Sequence, residues 1–447
     1  MHKKNYVIDK TAALKFPGPV EFIYHENCIL AISVSTANWL VLKDDFEVNL
    51  VKRLTAGETI ARITTSLIAR ANLHAFQKLL AQILARQFAL PNHTPQLRIE
   101  DSTKSLYVYL TNKCNLSCRH CYVFSGKAFH KELSIDEWKR IISEFYHLGG
   151  QSITLSGGEV LLKRGWKSLI KFLKQLGLKV TLLSNGTLWK DSDFNFAKEW
   201  IDEIQISIDG PNEKINSKIR GKGHFKKAQE AAISLSLRGV RTSIAITPTL
   251  DTIRLTVGEI DTFVEETRLK SNNAILFRVG QKLLPGRSIT SPMNEDAIFF
   301  KKITKEIANK IHPNYEIRNF NLAHKPNFGY KNCGLGGITI NPEGNIFPCN
   351  RYFELETCGN LRQQNFADIF YSVAVLQEIT SVDNAFPCKS CNLRYICGGG
   401  CRIDDFNFHE IRRSVGQADL INQTCDESFR TNLLNKMIST TQTNYKF

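Results

Sequence analysis

No apolar run in this chain reaches the length of a membrane-spanning helix. The start, Met1-His2-Lys3-Lys4-Asn5, is polar and lacks the apolar core of a secretory signal. Both absences point to the cytoplasm, where thiols stay reduced, so the 12 cysteines read as metal ligands rather than disulfides. The net charge of +15 is not gathered into a basic block in the first hundred residues. A solvated basic surface, or attraction to an acidic peptide, accounts for it without nucleic acid. With 447 residues, 43% of them hydrophobic, the chain has room for two or three domains with separate cores.

What is present begins with Leu110-Thr111-Asn112-Lys113-Cys114-Asn115-Leu116-Ser117-Cys118-Arg119-His120-Cys121-Tyr122. Three thiols spaced by three and then two residues can converge on one soft metal centre, an iron-sulfur cluster or zinc, and a four-iron cluster would keep one position open. A Cys3His zinc site would need the adjacent His120 and Cys121 at separate corners of one tetrahedron, which their side chains can hardly reach. The stretch resembles the radical SAM superfamily, whose CxxxCxxC cluster chelates S-adenosylmethionine and cleaves it to a 5'-deoxyadenosyl radical. That resemblance makes Cys114, Cys118 and Cys121 the catalytic cluster ligands. It also places His120, the residue before the third cysteine, near the adenine.

After the linker Pro91 to Pro95, short apolar runs alternate with helical ones: Leu106 to Leu110, Ser152 to Leu155, Lys179 to Leu183, Glu203 to Ile208, Thr242 to Thr247 and Ala274 to Val279. This predicts an α/β fold, a partial (β/α)6 barrel over residues 100–320. Ser134-Ile135-Asp136-Glu137 is a capping box for the first crossover helix, which ends at Gly149-Gly150. In parallel barrels the chemistry sits at the carboxyl ends of the strands, where the cysteine loop follows strand one. Ser156-Gly157-Gly158-Glu159, Ser184-Asn185-Gly186-Thr187 and Ser207-Ile208-Asp209-Gly210-Pro211 follow the next three. Alone these are polar turns. Behind the cysteine motif, Ser156 to Glu159 resembles the family's GGE motif, which holds the methionine amino group, with Val160 where relatives often have proline. Ser184, Asn185 and Ser207 resemble its ribose and carboxylate contacts, with Arg220 as carboxylate partner. Many relatives carry a His-Asp pair where this chain has Ile215-Asn216.

Residues 1–95 read as three strands, Val20 to Tyr24, Ile29 to Val34 and Trp39 to Leu42, then helical patterns Phe46 to Leu54, Thr59 to Ile68 and Leu73 to Phe88. Cys28 reads as a buried structural thiol. The set predicts a winged-helix-like domain, suited to DNA binding or dimerisation. Its size and position resemble the RiPP recognition element, which adds the leader of a ribosomally made precursor peptide to a sheet edge.

Residues 325–447 hold Cys333, Gly344 and Cys349, then Cys388, Cys391, Cys397 and Cys401, and finally Cys425. Zinc-ribbon binding is one reading of such spacing. The pattern CX10GX4C, CX2CX5CX3C and a last cysteine resembles the SPASM domain, which carries two auxiliary iron-sulfur clusters. The resemblance implies an outer cluster on Cys388, Cys391, Cys397 and Cys425. It implies an inner one on Cys333, Cys349 and Cys401, with Cys358 or a substrate thiolate as fourth ligand. Ser439 to Asn444 reads as a frayed end.

Together these resemblances imply a cytoplasmic oxidoreductase using S-adenosylmethionine and three [4Fe-4S] clusters. Its partners would be a precursor peptide with a leader and an electron donor such as flavodoxin or ferredoxin, with no membrane. Oxidative crosslinking, as a thioether or carbon-carbon bond, is the expected reaction. Formylglycine formation and epimerisation are the rivals, and a metal-dependent nucleic-acid-binding protein is the reading outside enzymes.

Overall fold

The structure, a computed structural model, describes residues 11, 13–99, 101, 104–290, 295–351, 355–407 and 419–444. The chain divides into two compact units. One gathers residues 1–101, 316–333 and 378–447; the other holds 102–315 and 334–377.

The first unit begins with strands β1 (Val20–His25), β2 (Cys28–Ser33) and β3 (Asn38–Leu42), an antiparallel sheet in that order. Helices α1 (Asp45–Thr55), α2 (Ile60–Ser66) and α3 (Arg70–Ala85) follow. Side chains on a strand alternate between faces, and here both faces are buried. Ile29, Ala31, Leu40 and Leu42 meet Val51, Leu54, Phe76 and Ile83 of the helices. Leu30, Ile32 and Trp39 instead meet Leu393, Ile396, Leu434 and Met437 from the end of the chain. The polar tail is therefore not frayed: it forms the last turns of a helix, Glu427–Asn444. Trp39 Nε1 donates to the Met437 carbonyl and to Thr441 Oγ1, both at 3.2 Å, and Met437 is wholly buried. Cys28 is only half-buried, and its thiol caps the His25 carbonyl at 3.4 Å in the β1–β2 turn. A two-residue strand, β4 (Arg98–Ile99), pairs with Phe328–Gly329 within the same unit.

In the second unit six parallel strands lie side by side in sequence order: β5 (Ser105–Tyr109), β6 (Ser152–Ser156), β7 (Lys179–Ser184), β8 (Glu203–Ser207), β9 (Arg241–Ile246) and β10 (Leu276–Val279). Helices cross over between them. The first, α4 (Ile135–His147), opens on the expected capping box, Ser134 Oγ accepting from Glu137 N–H at 3.2 Å and the Glu137 carboxylate from Ser134 N–H at 2.7 Å. Its Trp138, Ile141, Ile142 and Phe145 fall on one stripe and are buried against the sheet. Burial of each contributes roughly 1.5–3 kcal/mol. The sheet continues past β5: a strand at Ile338–Ile340 pairs parallel to it, and Asn345–Phe347 and Gly359–Asn360 follow antiparallel. Gly344 lies in the turn of this added hairpin.

Candidate active site

A cavity of about 310 Å3 lies where the loops leave the carboxyl ends of the parallel strands. Cys114, Cys118, His120 and Cys121 reach it from the loop after β5, and Ser156, Gly157 and Gly158 from β6 and beyond. Ser184, Asn185, Ser207 and Asp209 come from the two following strands, and Arg220 from the helix Glu213–Arg220.

The cysteine loop is folded by its own main chain. Cys114 N–H donates to the Gly126 carbonyl (2.8 Å) and Gly126 N–H to that of Asn112 (2.9 Å). Glu132 ties down its root, accepting from Asn112 N–H at 2.7 Å, from Thr111 Oγ1 and from Lys163 Nζ at 3.1 Å. Burial opposes the Glu132 charge, but these donors outweigh it and hold the carboxyl below its usual range. Each sulfur then meets at least one donor: Leu116 N–H at 3.5 Å and Asn185 Nδ2 at 4.0 Å from Cys114 Sγ, Ser125 N–H at 3.3 Å from Cys121 Sγ, and Arg220 Nη1 at 3.9 Å from Cys118 Sγ. Burial pushes the Cys114 and Cys118 thiols up. Ionised thiolates there call for the positive charge of a metal centre, and the donor set fits one.

The two glycines after β6 serve the loop above them. A Cβ on Gly157, whose φ is +129°, would sit 2.4 Å from the Thr111 carbonyl oxygen, and one on Gly158 2.3 Å from that of Lys113. Gly158 and Glu159 donate their N–H groups to those same two carbonyls at 2.8 Å each. So the close approach is to the cysteine loop. Glu159 is not among the residues that line the cavity. It is wholly buried, accepting from Ser184 Oγ (2.9 Å), Asn185 N–H (2.8 Å) and Leu161 N–H (3.3 Å). Burial raises its pKa against those hydrogen bonds. Its carboxylate fastens the loop after β7 to the loop after β6.

Asp209 was visible in sequence only as part of a polar turn, yet it organises the floor of the site. Its Oδ2 accepts from Arg220 Nε and lies 3.0 Å from His120 Nε2, while Oδ1 accepts from Thr247 N–H at 2.8 Å. Burial disfavours its charge, but Arg220 and His120 overcome this and hold the carboxyl far below its usual range. Asn216 accepts from Asp209 N–H at 3.0 Å and meets His224 Nδ1 at 2.9 Å; His224 Nε2 reaches the Asn185 carbonyl at 2.8 Å. The asparagine at the family's aspartate position thus supports Asp209 from behind. Burial, aided by Arg220, lowers His224 to about 4.

Two polar atoms of the wall are buried without a protein partner, His120 Nδ1 and Ser125 Oγ. A polar ligand would satisfy both. No spacing rule singles out Ser125, Asn216, His224 or Glu132; only the folded loops bring them together.

In the other unit, Cys388, Cys391, Cys397 and Cys425 line one cavity of about 320 Å3. Leu393 N–H donates to Cys391 Sγ at 3.4 Å, and burial pushes the Cys397 thiol up to about 12. Cys333 and Cys401 are hydrogen-bonded to each other, which together with burial raises the Cys401 thiol. Cys349 and Cys358 belong to the barrel unit, where Cys358 N–H donates to the Ile346 carbonyl at 2.7 Å and its side chain lies against the core. Among the described residues no three His, Cys, Asp or Glu side chains form a site for a single ion.

Residues 108–255 match the radical SAM superfamily and residues 332–392 the SPASM iron-sulfur cluster-binding domain. The sporulation killing factor maturation protein SkfB of Bacillus subtilis is 29% identical over 279 residues, which is 61% of this chain and 66% of SkfB. The match spans just under two thirds of that relative's length. An AdoMet-dependent heme synthase of Oleidesulfovibrio alaskensis is 26% identical over 321 residues, 66% of this chain and 82% of that protein. Among solved structures, anSMEcpe with bound AdoMet and the Cp18Cys peptide shares the fold, with a TM-score of 0.54, 20% identity, and coverage of 76% of this chain and 99% of that one.

Proposed function

We propose that this radical S-adenosylmethionine enzyme matures a ribosomally made precursor peptide by oxidative crosslinking, as a thioether or carbon-carbon bond. The observation that carries the reading is the presence of two different cysteine cavities in one chain, one with three thiols among unsatisfied polar groups and one with four thiols. S-adenosylmethionine, bound beside a reduced cluster, supplies a carbon radical that takes a hydrogen atom from the substrate. The chain's own residues orient what binds: His120 Nδ1 and Ser125 Oγ offer polar contacts, and Asp209 holds Arg220 and His120 in place. A crosslink removes two hydrogens, one as the abstracted atom and the other as a proton and an electron; Cys388, Cys391, Cys397 and Cys425 would hold a cluster able to accept that electron. An external donor such as flavodoxin or ferredoxin starts the cycle. Among the described residues no helix is long and apolar enough to cross a membrane.

A peptide substrate is supported by SkfB, a maturation protein by name, and by the N-terminal sheet. Strand β3 is flanked by the helix Glu427–Asn444. Strand β1, at the other edge of the sheet order, is where a leader would add as a further strand. Deleting residues 1–95 would be a poor test, because it strips Leu30, Ile32 and Trp39 from the core they share with the chain end. Proline at Glu21 and, separately, at Phe22 is cleaner, since neighbouring N–H groups on a strand point opposite ways. The substitution at the outward N–H should cut turnover of full-length precursor about tenfold, the loss of roughly 1.4 kcal/mol of binding. S-adenosylmethionine cleavage should be unchanged. Equal precursor turnover in both variants would remove β1 as the docking edge.

The reaction itself is tested by mass spectrometry of a ribosomally made precursor peptide after anaerobic incubation with the full chain. The expected product is two hydrogens lighter and lacks fragments between the joined residues. Loss of two hydrogens with a complete fragment series would indicate formylglycine-type oxidation. Unchanged mass with deuterium gained from heavy water would indicate epimerisation. Conversion of an iron porphyrin and of no peptide would replace the reading with one like the heme synthase.

A further inference from the structure

Arg402 follows directly on Cys397-Gly398-Gly399-Gly400-Cys401 and is wholly buried. Arginine keeps its charge under all ordinary conditions, so a cation is fixed in this interior. Four of its N–H groups are taken by main-chain carbonyls: Nε by Thr380 at 2.6 Å, Nη1 by Gly398 at 3.0 Å and Gly400 at 2.7 Å, and Nη2 by Lys331 at 3.1 Å. The glycine run makes this possible. All three glycines have positive φ, and a Cβ on Gly399 would stand 2.9 Å from Nη1. Carbonyl dipoles orient the guanidinium without neutralising it, and among the described residues no carboxylate is ion-paired with it. A buried cation without a counter-charge is unfavourable. The Gly398 and Gly400 carbonyls that hold Nη1 belong to the residues next to Cys397 and Cys401, so the guanidinium sits against the turn that carries those two sulfurs. The Arg402 main-chain N–H lies 3.4 Å from Cys333 Sγ. Arg402 thus stands among cysteines assigned to both auxiliary sets.

We propose that Arg402 is a fixed counter-cation for the auxiliary iron-sulfur sites, held by the glycine turn so that its charge raises their reduction potential and keeps them ready to accept an electron from the substrate. The inference rests on the reading that these cysteines bind clusters. Cluster potentials follow net charge and hydrogen bonding to sulfur, and a cation in a low-dielectric interior favours the reduced, more negative state. Arg402 touches no substrate; it acts through the cysteines around it.

The test uses the anaerobically reconstituted full chain, wild type, Arg402→Lys and Arg402→Gln, with iron per chain and an EPR-monitored redox titration as readouts. Arg402→Gln should keep its iron and show, at a fixed potential, at least a tenfold lower ratio of reduced to oxidised auxiliary cluster, equivalent to about 59 mV for one electron. Arg402→Lys should stay within about threefold of wild type. The cluster at Cys114, Cys118 and Cys121 is the internal reference and should not shift. Loss of auxiliary iron from Arg402→Gln with retention in Arg402→Lys would equally support a requirement for the charge. Full iron and unchanged ratios in both variants would overturn the proposal, as would loss of iron from both, which would mean that the hydrogen bonds to the carbonyls matter rather than the charge. Wild-type protein without iron beyond the first cluster would remove the cluster reading, and the inference with it.

Discussion

The barrel cavity and the C-terminal cysteine cavity enclose nearly the same volume, about 310 and 320 Å3, but the two units hold their buried arginines differently. In the barrel, three cysteines share the wall with Arg220, which is ion-paired to Asp209, and two polar atoms are left facing inward. In the C-terminal unit four cysteines share the wall with Arg394, Arg430, Asp426 and Glu427, and the buried cation of that unit, Arg402, is held by carbonyls. A three-thiol site keeps a position for something to bind and react; a four-thiol site is saturated and suited to storing or passing an electron. On the proposed function, the contrast would separate chemistry from electron handling within one chain.

The contrast breaks most visibly at the cysteines. Replacing Cys114, Cys118 and Cys121 by alanine should abolish 5'-deoxyadenosine formation and remove about a third of the bound iron, one cluster in three. Cys391→Ala with Cys425→Ala, the less buried pair of the other cavity, should lose a similar share of iron yet still cleave S-adenosylmethionine, while product formation on peptide fails. Chromatography of deoxyadenosine beside an iron assay checks both; cleavage retained by the triple variant would sink the assignment of the first cavity.

A smaller effect is expected behind the barrel cavity. Asp209→Asn leaves Arg220 buried without its carboxylate, which should cost roughly 3–5 kcal/mol of stability. Urea unfolding at neutral pH measures it, and a loss under 1 kcal/mol would show that Arg220 finds another partner.

The smallest effect is a pH slope. His224 is lowered to about 4 by burial, against about 6.5 in an unfolded chain. Between those values the unfolded chain binds more protons, so stability should rise with pH by up to about 1.4 kcal/mol per unit and level off above about 6.5. His224→Gln should flatten that part of the profile. An identical slope in the variant would assign the titration to another group.

Much of this architecture was legible from local pattern. The six strands, the capping box at Ser134 and Glu137, and the cysteine motif fell where alternation and spacing put them, because each depends on neighbours close in sequence. What stayed hidden depends on distant partners. That Ser184 and Asn185 donate to the Glu159 carboxylate cannot be read from its Gly-Gly-Glu turn. Asn216 reads as a defect in a family pattern until it is found bracing Asp209 and His224. The polar end of the chain gave no sign of order, since a helix that docks through Leu434, Met437 and a few hydroxyls has little apolar periodicity to show.

The hydrogen bond from Trp39 to Met437 also orders events in time. A ribosome adding about 5–20 residues per second needs on the order of 20–80 s to travel from one residue to the other. Throughout that interval Leu30, Ile32 and Trp39 lack Leu434 and Met437, while the strands from Ser105 to Val279 have already emerged and can pair. The barrel can therefore form during synthesis, whereas the unit containing the four-cysteine cavity waits for the last helix. Until that helix arrives, the sheet face keeps part of its apolar surface uncovered.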